Sequence, residues 1–192
     1  MLMRRGVSNA QGFTLIEVLV ALVVLLVGMM GAAGLMVRTV QQEVEAYQRL
    51  QALNLLQDIT DRINANRNVV SCYSNGATGI TVGYGVEDIA ACSSGTSEEN
   101  ARADVDLSDW NDNLNGAAEQ NSDSENVGAM IGARGCIVQL SAVDQVYRVT
   151  VAWQGLSETV APTEDNGCGK DSYGNEKLRR TVSAVVRIGD LS

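Results

Sequence analysis

The chain has 192 residues, a net charge of −9 and no histidine. That length allows one anchor and one domain of ordinary size. The missing histidine removes His-based triads, His general bases and most zinc sites, and the acidic balance argues against general nucleic-acid binding.

Residues 1–12, MLMRRGVSNAQG, are short, polar and basic through Arg4 and Arg5. Residues 12–37, GFTLIEVLVALVVLLVGMMGAAGLMV, form an apolar run with a single charge, Glu17. A bilayer core needs roughly 20 apolar residues as a helix, so the run can span a membrane. A secretory signal peptide places its apolar region before a small-residue cleavage site. Here a cut at Gly12 would precede the apolar run and leave it in place. The basic pair orients the N-terminus to the cytoplasm, which puts the remainder of the chain outside the inner membrane. Glu17 is the residue with a physical demand: a carboxylate at a bilayer centre costs about 2.5–3.5 kcal/mol on insertion scales. Gly28, Gly31 and Gly34 suit either close helix packing by small residues or a weak, bendable segment.

The helical pattern continues past the apolar run. Val37, Val40, Val44, Tyr47, Leu50 or Gln51, Leu55, Ile59, Ile63 and Val70 recur at three- and four-residue spacing, which predicts one apolar stripe. No proline interrupts residues 13–70, so a single helix is expected from about Phe13 to Asn66.

Glycines and the Asn75-Gly76 pair mark residues 68–95 as loop and turn, with one short strand from the alternation of Ile80, Val82, Tyr84 and Val86. Thr96 and Glu99 have capping-box spacing. Leu107, Trp110 and Leu114 then follow at helical intervals, predicting a helix over about 97–114. Asp104, Asp106 and Ser108 raise a calcium-loop alternative. Asp109 stands where a loop glycine belongs and Asn115 where a glutamate belongs, so a solvated acidic helix is preferred and no metal site is assigned. Residues 115–129 read as exposed polar loop. Three strands are expected, over 136–143, 145–154 and 179–188, the first two as an antiparallel hairpin turning at 142–145. A long polar loop, 156–178, separates the last two.

Four cysteines in the exported part suit two disulfides. Four allow three pairings, and the sequence does not choose among them; adjacency along the chain and the hairpin favour Cys72 with Cys92 and Cys136 with Cys168. The cysteines lack a CxxC spacing, which argues against metal binding.

Gly12-Phe13-Thr14-Leu15-Ile16-Glu17-Val18, followed by the long apolar run, resembles the class III signal of type IV prepilins and type II secretion pseudopilins. The Asp-Leu-Ser-Asp-Trp-Asn-Asp-Asn-Leu segment, 106–114, and Val-Ala-Trp-Gln-Gly, 151–155, are similar to segments of PilV-type minor pilins. The resemblance implies an α+β pilin-like fold, with a long N-terminal helix packed on a small antiparallel sheet. It implies a leader over 1–12, a transmembrane assembly helix over 13–37, its amphipathic continuation over 38–67 and a head domain over 68–192. It further implies cleavage between Gly12 and Phe13 by a prepilin peptidase and N-methylation of Phe13. Glu17 would pair with the Phe13 amine of a neighbouring subunit. The implied partners are other pilins, met through the N-terminal helix, and an inner-membrane assembly platform; the implied destination is a pilus on the cell surface. The implied function is that of a non-enzymatic minor pilin assisting pilus assembly, with adhesion or twitching motility as possible uses of its loops. A minor pseudopilin of type II secretion is the alternative. Neither catalytic residues nor cofactors are expected, since no phosphate-cradling glycine loop and no nucleophile elbow occurs.

Overall fold

The computed structural model describes residues 12–86, 88–123, 126, 128, 130–163 and 166–189. The expected leader, apart from Gly12, lies outside the described residues. The chain divides into two units between Glu43 and Val44. One helix, α1 (Leu15–Ala65), contributes to both.

In the first unit the described residues of α1 are all exposed. Its apolar window has a mean hydropathy of 2.7 with no buried residue, and by length and composition it can cross a membrane. Straight aliphatic runs sustain such a helix, because Leu, Met and Ala lose little rotamer freedom in it.

The second unit is built on a four-stranded antiparallel sheet in the order β1 (Ile80–Gly83), β2 (Ile131–Ser141), β3 (Val146–Gln154), β4 (Arg179–Arg187). α2 (Ser97–Leu114) lies in the β1–β2 connection. The unit is α+β and pilin-like, with the C-terminal half of the long helix and α2 sharing one core with the sheet. That core contains Ala52, Leu56, Ile59 and Ile63 of α1, Leu107 and Trp110 of α2, and Val82, Ile137, Val149 and Val151 of the sheet.

Local chemistry explains the element ends. Thr96 caps α2: its hydroxyl accepts from Glu99 N, and the Glu99 carboxylate accepts from Thr96 N at 3.0 Å. The β2–β3 hairpin turns through Ala142–Gln145, with Gln145 in the left-handed region at φ 48°. Trp110 is fully buried. Its indole N–H donates to the Leu55 carbonyl at 3.0 Å, tying α2 to α1, while its ring fills the space where a Gly135 side chain would stand.

Three expectations change. The buried face of α1 is Gln48, Ala52, Leu56, Ile59 and Ile63, whereas Val44, Tyr47 and Leu50 of the expected stripe are exposed. Ala52 is fully buried, and the Tyr47 hydroxyl instead donates to Glu119 at 2.9 Å. The first strand stops at Gly83 rather than running to Val86. Gly83 has φ 99° and lies against the Ala133 carbonyl, and Val86 N turns back to Gly83 O. β2 starts at Ile131 rather than Cys136: Gly132, Ala133, Arg134 and Gly135 belong to the strand, although their glycines suggest a loop.

Candidate functional site

The residues that carry the N-terminal motif sit where α1 begins. Gly12, Phe13 and Thr14 precede the helix. Among the described residues a side chain on Gly12 would meet no atom within 4 Å, and Phe13 is 86 % exposed.

Thr14 sets the helix start. Its carbonyl accepts from Glu17 N at 3.1 Å and from Val18 N at 3.3 Å. Glu17 reaches back, and its Oε2 accepts from Thr14 N at 3.3 Å and from the Thr14 hydroxyl at 3.2 Å. Glu17 therefore lies at the third helical position, where a carboxylate both satisfies an otherwise orphaned N–H and meets the positive end of the helix dipole. The sequence assigned Thr14 no role. The Thr-x-x-Glu spacing that identifies the cap of α2 was present here too, and would have found it.

Among the described residues Glu17 has no ion-pair partner. Around it Leu15, Ile16, Val18, Leu19 and Val20 are all more than half exposed. The arrangement is a negative charge beside an open N-terminal junction, on a helix whose apolar surface is uncovered.

In the second unit the structure brings Cys72 to Cys92 and Cys136 to Cys168 as disulfides. The first ties the 3-10 turn at Arg67–Tyr73 to the segment before α2. The second anchors the 156–178 loop to the sheet, where Cys136, Ala152 and Cys168 form a small separate cluster. Arg179, only 2 % exposed, holds the same loop by donating to the Asn166 and Cys168 carbonyls and pairing with Glu176 at 2.6 Å.

The carboxylates of the calcium alternative do not converge. Asp104 accepts from Cys92 N at 2.7 Å. Asp106, 2 % exposed, accepts from Arg62 at 3.0 Å and from the Tyr73 hydroxyl at 2.6 Å. Burial, together with that bond to Asp106, pushes the Tyr73 hydroxyl well above the ordinary tyrosine value, so it remains a donor. Among the described residues no group of three or more acidic or cysteine side chains is placed to hold a metal ion.

Residues 7–33 match the prokaryotic N-terminal methylation motif, and residues 34–108 match the family described as type IV pilin Tt1218. Neither the curated proteins nor the solved structures contain a significant match. The two matched stretches run consecutively from residue 7, across the Gly12–Phe13 junction, through most of α2, and they support a type IV pilin subunit.

Proposed function

We propose that the chain is a minor subunit of a type IV pilus. It is cleaved between Gly12 and Phe13 by a prepilin peptidase, methylated on the new Phe13 amine, and drawn into the filament by pairing of that amine with Glu17 of a neighbour. The observation that carries this reading is Glu17: a carboxylate with no paired cation among the described residues, in the first turn of a helix able to cross a membrane. A charge in apolar surroundings needs a partner, and cleavage creates a cation four residues away in sequence on every copy. Within one chain Thr14 engages only Oε2 of Glu17, which leaves the other oxygen to take the amine of a second copy.

On this reading residues 13–37 are the assembly helix, 38–67 its amphipathic continuation and 68–192 the head. The N-terminus begins in the cytoplasm, the head lies in the periplasm, and an inner-membrane assembly platform lifts the subunit into a surface filament.

The test is N-terminal sequencing with intact mass, followed by fractionation of sheared filaments. The mature chain should begin at Phe13 and carry one methyl group. Glu17→Ala should insert in the membrane normally and be depleted from the filament fraction by about tenfold or more, since loss of an apolar-environment ion pair is worth several kcal/mol. Undiminished incorporation of Glu17→Ala would remove the charge-pairing mechanism. Recovery with a secretion complex instead of filaments would assign the chain to the pseudopilins.

A further inference from the structure

The two edges of the sheet are finished differently. β1 is four residues long, and the Gly83 N–H at its end is taken by Asn111 Oδ1 of α2 at 2.8 Å. β4 is nine residues long, contains no proline, and pairs with β3 in unbroken register from Gln154↔Arg179 to Val146↔Arg187. Proteins commonly blunt an edge strand by shortening, bulging or covering it, or with proline. β1 is treated in this way and β4 is not.

The register fixes which backbone groups of β4 point away from β3. At the two ends of the ladder Ile188 N donates to Gln145 O at 3.0 Å and Gly155 N to Leu178 O at 2.8 Å. Hydrogen-bonded pairs alternate along antiparallel strands. Arg180, Val182, Ala184 and Val186 therefore bond β3, and Thr181, Ser183, Val185 and Arg187 turn their N–H and C=O groups outward. Among the described residues nothing bonds those outward groups. The hydrogen bonds that Ser183 and Arg187 make use their side chains, with Thr150, Asn166 and Asp144. Ser183, Val185 and Arg187 are exposed, Val185 by 64 %.

Donors and acceptors that repeat at every second residue along an open strand match one kind of ligand, another extended polypeptide backbone. We propose that β4 receives an antiparallel strand from a partner protein, acidic where it passes Arg187 and apolar on the core side. Charge selects the partner. β4 carries three arginines and no acid. Glu176 and Glu45 answer Arg179 and Arg180. Arg187, 72 % exposed, has among the described residues only the exposed Asp144, at 3.4 Å. On the other row Val182 and Val186 belong to the core and Ala184 packs against it, so apolar partner side chains there would extend the core past its present edge. A second copy of this chain fits poorly, because its β4 brings the same three arginines and its β1 edge is occupied by Asn111.

This inference stands on the sheet edge, and it is independent of the Glu17 reading. Its test uses the full chain in detergent micelles, with amide hydrogen exchange read residue by residue by NMR. The probe is a capped peptide of the length of β4 that alternates valine with threonine and carries aspartate in the threonine row beside Arg187. Without peptide, Thr181, Ser183, Val185 and Arg187 should exchange at least about tenfold faster than Val182, Ala184 and Val186, whose N–H groups β3 holds. The peptide should slow the four outward amides saturably and leave the other three unchanged. Lysine in place of the aspartate should weaken binding about fivefold, and N-methylation of the peptide amides that face β4 should abolish it. Val185→Pro removes an outward N–H without touching the β3 ladder and should abolish the response as well. No response or an unsaturable one, equal binding of the lysine or N-methylated peptide, or uniform slowing along β4 would each overturn the proposal. Slowing of the outward amides that grows with protein concentration, in the absence of peptide, would overturn it too, by giving the edge to a second copy.

Discussion

Replacing Arg62 tests how the head is fastened to the long helix. Arg62 Nε binds Asp58 one turn back at 3.0 Å, and Nη1 binds both Asp106 and Asp109 of α2 at 3.0 Å. Asp106 is 2 % exposed, while Asp109 is half-exposed. In Arg62→Ala, Asp106 keeps the Tyr73 hydroxyl and a looser contact to Arg102 at 3.7 Å, itself 62 % exposed. Removing one partner of a fully buried pair costs about 3–5 kcal/mol. The partial exposure of Arg62 and the help from Arg102 reduce this to about 2–3 kcal/mol, after discounting for solvent screening. For a protein of this size that corresponds to a fall in Tm of about 4–12 °C. The measurement is thermal unfolding of the full chain in detergent micelles, followed by near-UV circular dichroism of the buried tryptophans. Asp109→Asn removes the exposed arm of the same cluster and should cost about 0.5 kcal/mol or less. If Arg62→Ala melted within a degree of wild type, or Asp109→Asn cost as much, burial of Asp106 would not be the source of the effect and the reasoning would fail.

Two further outcomes follow from the same unit. Gly135→Ala drives a Cβ into the Trp110 ring; overpacking of this kind costs about 1–3 kcal/mol, and the denaturant midpoint should fall with an unchanged m-value. Burial raises the Glu45 pKa, but hydrogen bonds from Ser157 and the charge of Arg180 outweigh it, so the group sits below its ordinary value of 4.5. A carboxylate with a depressed folded pKa contributes stability above its unfolded pKa and loses it as pH falls through the folded one. Glu45→Gln should therefore be less stable than wild type near neutral pH, with the gap closing as the medium is acidified below 4.5; a gap independent of pH would contradict the pairing.

Elements governed by local rules were legible in the sequence. The long helix was expected over 13–66 and runs over 15–65, and α2 begins at the Thr96 cap and ends at Leu114. Both depend on spacing and capping, which a one-dimensional reading contains. The face that α1 buries was legible only in part: Ile59 and Ile63 lie on the expected stripe, while Gln48, Ala52 and Leu56 do not. Periodicity finds apolar residues, but the buried face also takes in the small Ala52 and the polar Gln48, while Tyr47 and Leu50 stay exposed. The start of β2 was misplaced for a related reason. Gly132 and Gly135 look like loop signals, yet one clears space for the Tyr173 ring and the other for Trp110.

The same distinction applies to the sites. Glu17 was conspicuous because a lone charge in an apolar run violates a rule that operates on sequence. Arg134 violates nothing in one dimension, because an arginine in a polar, glycine-containing segment is ordinary. Only the fold brings Tyr84 from after β1 and Tyr173 from the long loop near it, with ring centroids 5.6 and 5.7 Å from its guanidinium carbon.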